Sequence, residues 1–306
     1  MWRWALAALA LSAAQGRGDD GPWRFVWGDE FEGTAVDSTK WDFDLGNGFW
    51  SKSANQWIPG WGNAELEYYT RDPENVFVKD GVLHIRALKK SVEGFKYTSA
   101  RLKSRKADGG ELFAQKYGKF AFRAKLPIGR GLWPALWMLP QTEKYGGWPR
   151  SGEIDVMEAR GQEPNKVLGT LHFGTRIPAN AHESREFVFP SGTIAEWHVY
   201  AVEWEPGEVR WAVDDKEYAR QNFWWSAGAL GKDAKPSKTS VKPWPAPFDQ
   251  PFYLVMNLAV GGNFLGSPDD ATPFPAEMLV DYVRVYDKPA GYGPVKPRGP
   301  GKLPGR

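Results

Sequence analysis

No cysteine occurs in the 306 residues, so no disulfide can brace the fold and no thiolate is available to bind zinc or attack a substrate. Histidine appears only four times and without zinc-like spacing. No glycine-rich phosphate loop precedes a helix, which removes the usual cradle for nucleotide chemistry. A net charge of +2 argues against nucleic acid or an anionic membrane as the main partner. The only long apolar run, residues 4–11, is too short to span a bilayer. Amphipathic helices of any length are also missing. What abounds instead is tryptophan, 17 residues, together with 34 glycines and 24 prolines. Indole faces on turn-rich loops suit a carbohydrate groove, because pyranose rings present flat C–H surfaces to stack on them. Tryptophan-rich cores also exist, and roughly half of these residues are assigned to packing.

The two ends differ from the middle. Residues 1–16 have the pattern of a secretory signal: Arg3, the apolar run, then Ser12-Ala13-Ala14, with Asp19-Asp20-Gly21 closing the pattern. Export to the extracellular space is therefore expected, and without disulfides the fold must be held by its core, with a bound ion as a further option. Residues 288–306 carry Pro289, Pro294, Pro297, Pro300 and Pro304 among glycines and basic residues, and are expected to form a disordered tail. Between them, residues 17–287 alternate short β-rich runs with turns. Val76-Phe77-Val78 and Val82-Leu83-His84-Ile85, joined through Asp80-Gly81, predict a hairpin. About a dozen such strands, with neither helical crossovers nor a repeat period, predict an all-β sandwich of two antiparallel sheets. Such sandwiches can curve to give one concave, groove-forming face. Two long loops are expected, at 46–62 and 224–250, the first as a groove wall because it carries Trp50, Trp57 and Trp61.

The candidate chemistry lies in Gly152-Glu153-Ile154-Asp155-Val156-Met157-Glu158-Ala159. Alternation sends Glu153 and Asp155 to one face of a strand and Ile154 and Val156 to the other. Continued strictly, it would turn Glu158 into the core, where an unpaired carboxylate costs several kcal/mol. A bulge absorbing Met157 avoids that and points all three acids the same way. Three like charges on one face repel, and such repulsion with partial burial can raise one pKa while hydrogen bonding lowers another. Retaining glycoside hydrolysis uses a carboxyl pair roughly 5 to 5.5 Å apart. Two Glu side chains leaning together from Cα atoms roughly 13 Å apart could reach it. The alternative is a solvated edge strand, but Trp133, Trp137 and Trp148 beside the acids are not what a plain wet surface requires.

On these and further motifs the sequence resembles glycoside hydrolase family 16, of the endo-β-1,3-glucanase (laminarinase) type, over roughly residues 23–286. The motifs are Gly62-Asn63-Ala64-Glu65-Leu66-Glu67-Tyr68-Tyr69-Thr70, Gly131-Leu132-Trp133-Pro134-Ala135-Leu136-Trp137-Met138-Leu139-Pro140, the acidic segment, Leu171-His172-Phe173-Gly174, the run 252–264, and Val280-Asp281-Tyr282-Val283-Arg284-Val285-Tyr286. The resemblance implies a β-jelly-roll with a concave substrate groove. It implies Glu153 as nucleophile, Asp155 as the residue that holds and polarises it, and Glu158 as acid and base. The extra residue Met157 resembles the bulged form of laminarinases; mixed-linkage licheninases of the family typically have one residue fewer. Asn63, Arg101, Trp133, Trp137 and His172 resemble the family's substrate contacts. Asp281 resembles the one carboxylate that, with backbone oxygens, holds a structural calcium in many relatives. Catalysis is expected to need no cofactor. The partner is expected to be a β-1,3-glucan polysaccharide or oligosaccharide, bound by a monomer. Ala100 stands where relatives often have Gly, and Glu67 where Gln is common, which bears on linkage rather than chemistry. Two alternatives stay open: a non-hydrolytic glucan recognition protein, and an enzyme acting on mixed-linkage or sulfated galactan polysaccharide.

Overall fold

The structure is a computed structural model that describes residues 21–175, 180–228, 240–301 and 303. The expected signal, residues 1–16, lies outside the described residues, as does the stretch 229–239 of the second long loop. In chain order the strands are β1 (Arg24–Asp29), β2 (Asp42–Asp44), β3 (Gly48–Ser51), β4 (Gln56–Pro59), β5 (Glu67–Tyr69), β6 (Val76–Lys79), β7 (Val82–Ala87), β8 (Tyr97–Ser99), β9 (Arg101–Lys103) and β10 (Gly118–Lys125). They continue with β11 (Leu132–Pro140), β12 (Glu153–Glu158), β13 (Lys166–Gly174), β14 (Asn180–Val188), β15 (His198–Glu205), β16 (Glu208–Val213), β17 (Lys216–Gln221), β18 (Phe252–Val260) and β19 (Ala276–Asp287).

Two large antiparallel sheets contain most of them. One runs β17-β16-β15-β10-β19-β7-β6, with β1 added against β19; the other runs β14-β13-β12-β11-β18-β9-β2. Alternation decides what lies between the sheets. Leu136, Met138, Ile154 and Leu171 from the second sheet share one buried cluster with Phe120, Phe122, Val202 and Trp204 from the first. The opposite side chains of the second sheet form the face on which the acids sit.

The Asp80-Gly81 hairpin is as expected, with both residues at positive φ (53° and 75°), the turn whose twist matches its flanking strands. Two features differ from expectation. Residues 46–62 are not one irregular loop: Phe49-Trp50 and Trp57-Ile58 pair across a polar tip as the β3–β4 hairpin, an arrangement that β-favouring aromatic residues support. Strand β17 follows a turn with Asp214 and Asp215 both at positive φ, a conformation that glycine or asparagine would have announced. The described part of the tail makes contacts with the sandwich. Lys288 sits 4.6 Å over the Trp23 ring, Lys296 Nζ reaches Glu208 Oε1 at 2.5 Å, and Trp244 Nε1 donates to the Lys296 carbonyl at 2.7 Å. Acidic and aromatic residues of the sandwich thus supply the partners that the tail's own composition lacks.

Candidate active site

The bulge in β12 lies close to where alternation requires it. Against β13, Asp155 faces Thr170 and Glu158 faces Leu168, so Val156 and Met157 together oppose the single residue Gly169. Against β11, Met157 still faces Leu136 and Asp155 faces Trp137, so the residue without a partner on that side is Val156 rather than Met157. Both are buried with Ile154 in the core, and the three acids emerge on the other face.

A residue from the opposite sheet holds this kink. Trp211 of β16, almost fully buried, donates from Nε1 to the Asp155 carbonyl oxygen at 2.8 Å. It can approach because position 169 has no side chain: a Cβ there would lie 2.3 Å from Trp211 Cδ1.

The ladders define rows across the open face. Glu153 is opposite His172, which is opposite His182; Trp137, Asp155, Thr170 and Ser184 form the next row. A third runs from Glu158 through Ala135 and Asn257 to Arg101 and Asp44. Each outer acid is held by an indole. Trp148 Nε1 donates to Glu153 Oε2 at 2.8 Å, and Trp133 Nε1 to Glu158 Oε1 at 3.2 Å. Thr170 Oγ1 donates to Glu158 Oε2 at 3.3 Å and lies 2.9 Å from Ser184 Oγ.

His172 Nε2 lies 3.3 Å from Asp155 Oδ2 and 3.6 Å from Glu153 Oε1. The first is a charge contact rather than an aligned hydrogen bond, because Asp155 Oδ2 has no donor that satisfies it. Burial opposes charge on His172, but Glu153 and then Asp155 outweigh it and push its pKa up to about 10. Burial, followed by the neighbouring Glu153 and Glu158, raises Asp155 well above the usual carboxylate range. Glu158 is also raised, first by burial and then by Glu153, against the lowering influence of His172. The cluster therefore shares protons, as close like charges in a poorly solvated site must.

The other expected contacts are placed as follows. Trp133 and Trp137 are half-buried on the acid face, the first packed on Phe264 and the second donating from Nε1 to Asn257 Oδ1 at 2.7 Å. Arg101 is buried, its guanidinium between Trp61 and Trp137 at 4.5 and 4.6 Å, with Nε 3.0 Å from Asp44 Oδ2. It shapes the face from beneath instead of projecting into it. Asn63 is exposed beside the trough, with Nδ2 donating to Glu65 Oε1 at 3.1 Å. Below lies Glu67, fully buried, with Oε2 accepting from Val260 N at 2.6 Å. Its pKa is raised well above the ordinary value by burial and then by Glu65.

Asp281 lies in the other sheet on an extra residue of the β19–β10 ladder, where Arg123 Nη1 meets its Oδ2 at 2.7 Å. Arg123 thus supplies its counter-charge, and a cation bound there with backbone oxygens would have to share the carboxylate with it. Among the described residues, the one grouping of three side chains able to hold a metal is Glu153, Asp155 and His172. With its pKa near 10 the imidazole keeps its proton there, and a metal would have to displace it. Thr170, Asn257 and Trp211 were not expected at the site, and Trp61 was expected only as part of a groove wall. Thr170 could have been found, since it lies two residues before His172 on one strand face; Trp211 comes from a distant strand and leaves no local signal.

Residues 47–253 match the profile of Glycosyl hydrolases family 16. The chain belongs to glycosyl hydrolase family 16. Its relatives in this family include glucan endo-1,3-beta-glucosidase A1 of Niallia circulans, 46% identical over 268 residues, 85% of this chain and 37% of that protein. The chain thus spans little more than a third of that relative. The beta-glucanase of Rhodothermus marinus is 43% identical over 276 residues, covering 88% of this chain and 87% of its own. Among solved family 16 structures, the laminarinase catalytic domain of Thermotoga maritima MSB8 superposes with a TM-score of 0.69 at 40% identity, covering 86% of this chain and 98% of that one. The fold expected from the resemblance, two antiparallel sheets in the family 16 manner, is therefore correct, and so is the assignment as a glycoside hydrolase.

Proposed function

We propose that this chain is an endo-acting, retaining β-1,3-glucanase that cleaves laminarin-like glucans by double displacement outside the cell. Glucosyl transfer to sugar acceptors would follow from the same covalent intermediate. The observation that carries the proposal is the Val156–Met157 bulge, which sets Glu153 and Glu158 on one open face, each steadied by an indole N–H.

In this mechanism Glu153 attacks the anomeric carbon while Glu158 gives its proton to the departing glycosidic oxygen. Water then enters, Glu158 takes its proton, and the glycosyl–Glu153 ester is cleaved with the original anomeric configuration restored. The burial that raises Glu158 suits an acid that must stay protonated above the usual carboxylate range. Asp155 and His172 orient Glu153 and balance its charge. Trp133 and Trp137 offer ring faces to sugar, Asn63 an exposed amide, and Arg101 acts by fixing Trp137. The names of the Niallia and Thermotoga relatives support the β-1,3 linkage, and the apolar run at residues 4–11 supports export.

The test is a reducing-sugar assay on laminarin, mixed-linkage glucan, agar and carrageenan, with Glu153→Gln alongside. Turnover should be fastest on laminarin, and Glu153→Gln should bind laminari-oligosaccharides without cleaving them. Faster cleavage of a galactan would overturn the linkage. Parent-like turnover by Glu153→Gln, or laminarin held for hours with no new reducing ends, would overturn the mechanism.

A further inference from the structure

The β3–β4 hairpin has two unlike faces. Directly opposed residues share a face, so Phe49 with Ile58 lie on one side and Trp50 with Trp57 on the other. The first side is used: the Phe49 ring stacks on Trp61 at 6.1 Å, and Trp61 covers Arg101, which stacks on Trp137 in the trough. The second is open. Trp50 is 56% and Trp57 53% exposed, and neither ring stacks on another aromatic ring among the described residues.

We propose that Trp50 and Trp57 form a second carbohydrate platform, outside the catalytic trough, on which pyranose rings of the same β-glucan stack. This rests on the glucanase assignment above.

Three observations favour a glucan over a protein partner. The exposed halves of two indoles amount to roughly 250 Å² at most, against the roughly 800 Å² per partner that a specific protein interface needs. An indole pair is nevertheless large enough to receive sugar rings one at a time. Around the pair stand Ser51, Lys52, Ser53, Asn55 and Gln56, side chains that exchange hydrogen bonds with hydroxyl groups and include a single charge. The hairpin's other face is continuous with the trough through the Phe49–Trp61–Arg101–Trp137 stack, so the platform is carried on the same packed unit as the trough. The hairpin tip is braced as well: a Cβ at Gly147 would lie 2.2 Å from Ser53 Oγ, which places the tip against the loop that carries Trp148.

The test compares the parent with Trp50→Ala/Trp57→Ala, and each of these again in the Glu153→Gln background. Binding of the inactive pair is measured by depletion onto insoluble β-1,3-glucan particles; the active pair is assayed on the particles and on laminaripentaose. Removing the indoles should weaken particle binding by about tenfold and slow particle hydrolysis by a similar factor. Cleavage of laminaripentaose should be unchanged, and Trp50→Phe/Trp57→Phe should restore part of the binding. Unchanged particle binding would overturn the proposal, as would a parent dimer that becomes monomeric in the alanine variant while binding glucan equally well. An equal loss on laminaripentaose would overturn it too, by placing the pair inside the trough. Those results leave the glucanase assignment intact, whereas a parent that cleaves no β-glucan removes both.

Discussion

Gly169→Ala is a one-carbon change in a strand, yet it should disable the enzyme from behind. The new Cβ would lie 2.3, 2.5 and 2.7 Å from Trp211 Cδ1, Nε1 and Cγ, atoms of a rigid ring that is 1% exposed and cannot swing into solvent. Forcing a methyl group into a packed core costs about 1–3 kcal/mol. If the ring retreats, the Asp155 carbonyl loses its buried N–H donor, which adds about 1 kcal/mol or more. Together, about 2–4 kcal/mol corresponds to a Tm lowered by about 3–7 °C in a chain of this size. The bulge fixes where Glu158 stands relative to Glu153, and a displacement near 1 Å at reacting groups can reduce kcat by about 100-fold. The assay pairs thermal unfolding with kcat and KM on laminarin. Gly228→Ala serves as control, since its Cβ would meet only the flexible end of Lys242, at 3.4 Å. Trp211→Phe should lower Tm by itself, and combined with Gly169→Ala it should cost less than the sum, because the two changes act on one contact. Gly169→Ala with the parent's Tm and kcat would refute the reasoning.

Two further predictions concern protons. His172 lowers the pKa of Glu158, so His172→Gln should move the alkaline limb of the kcat/KM profile to higher pH; a downward shift would contradict the assigned geometry. His172 itself is raised to about 10, so its stabilising contribution is whole below about 6.5 and is lost as pH rises towards 10; urea unfolding of the variant should show that loss removed. Glu67 is also raised, so the folded state favours its neutral form, and stability drains away as pH climbs from the ordinary carboxylate range through the folded-state value. Glu67→Gln keeps an acceptor for Val260 N and cannot ionise; it should equal the parent near pH 4 and exceed it at pH 8, and reduced stability at pH 8 would count against a neutral Glu67.

The acid face was legible because it breaks a local rule: Glu153, Asp155 and Glu158 cannot share a face without an extra residue, and β12 provides one. The Asp80-Gly81 hairpin was legible from turn chemistry that acts over four residues. What escaped depends on contacts between distant segments. The Trp211 hydrogen bond joins residues 56 positions apart, and Gly169 makes sense only once that ring is in place. Edge strand β14 has a largely polar sequence with only Phe187 buried, so its pattern does not announce a strand. The contacts that the described tail residues make with Glu205, Glu208 and Trp244 likewise join distant segments. Arg101 was identified as a polar contact, but its burial between Trp61 and Trp137 depends on the β3–β4 hairpin that the sequence left as a loop.

Proton NMR of the first seconds of laminari-oligosaccharide cleavage tests the central claim most directly, because it reads the anomeric configuration of the new reducing end before mutarotation. With Glu153 attacking and Glu158 on the same strand face, the β-anomer must appear first and the α-anomer only later. Initial release of the α-anomer would contradict the account, since it would mean that water attacks directly and that Glu153 is not the nucleophile.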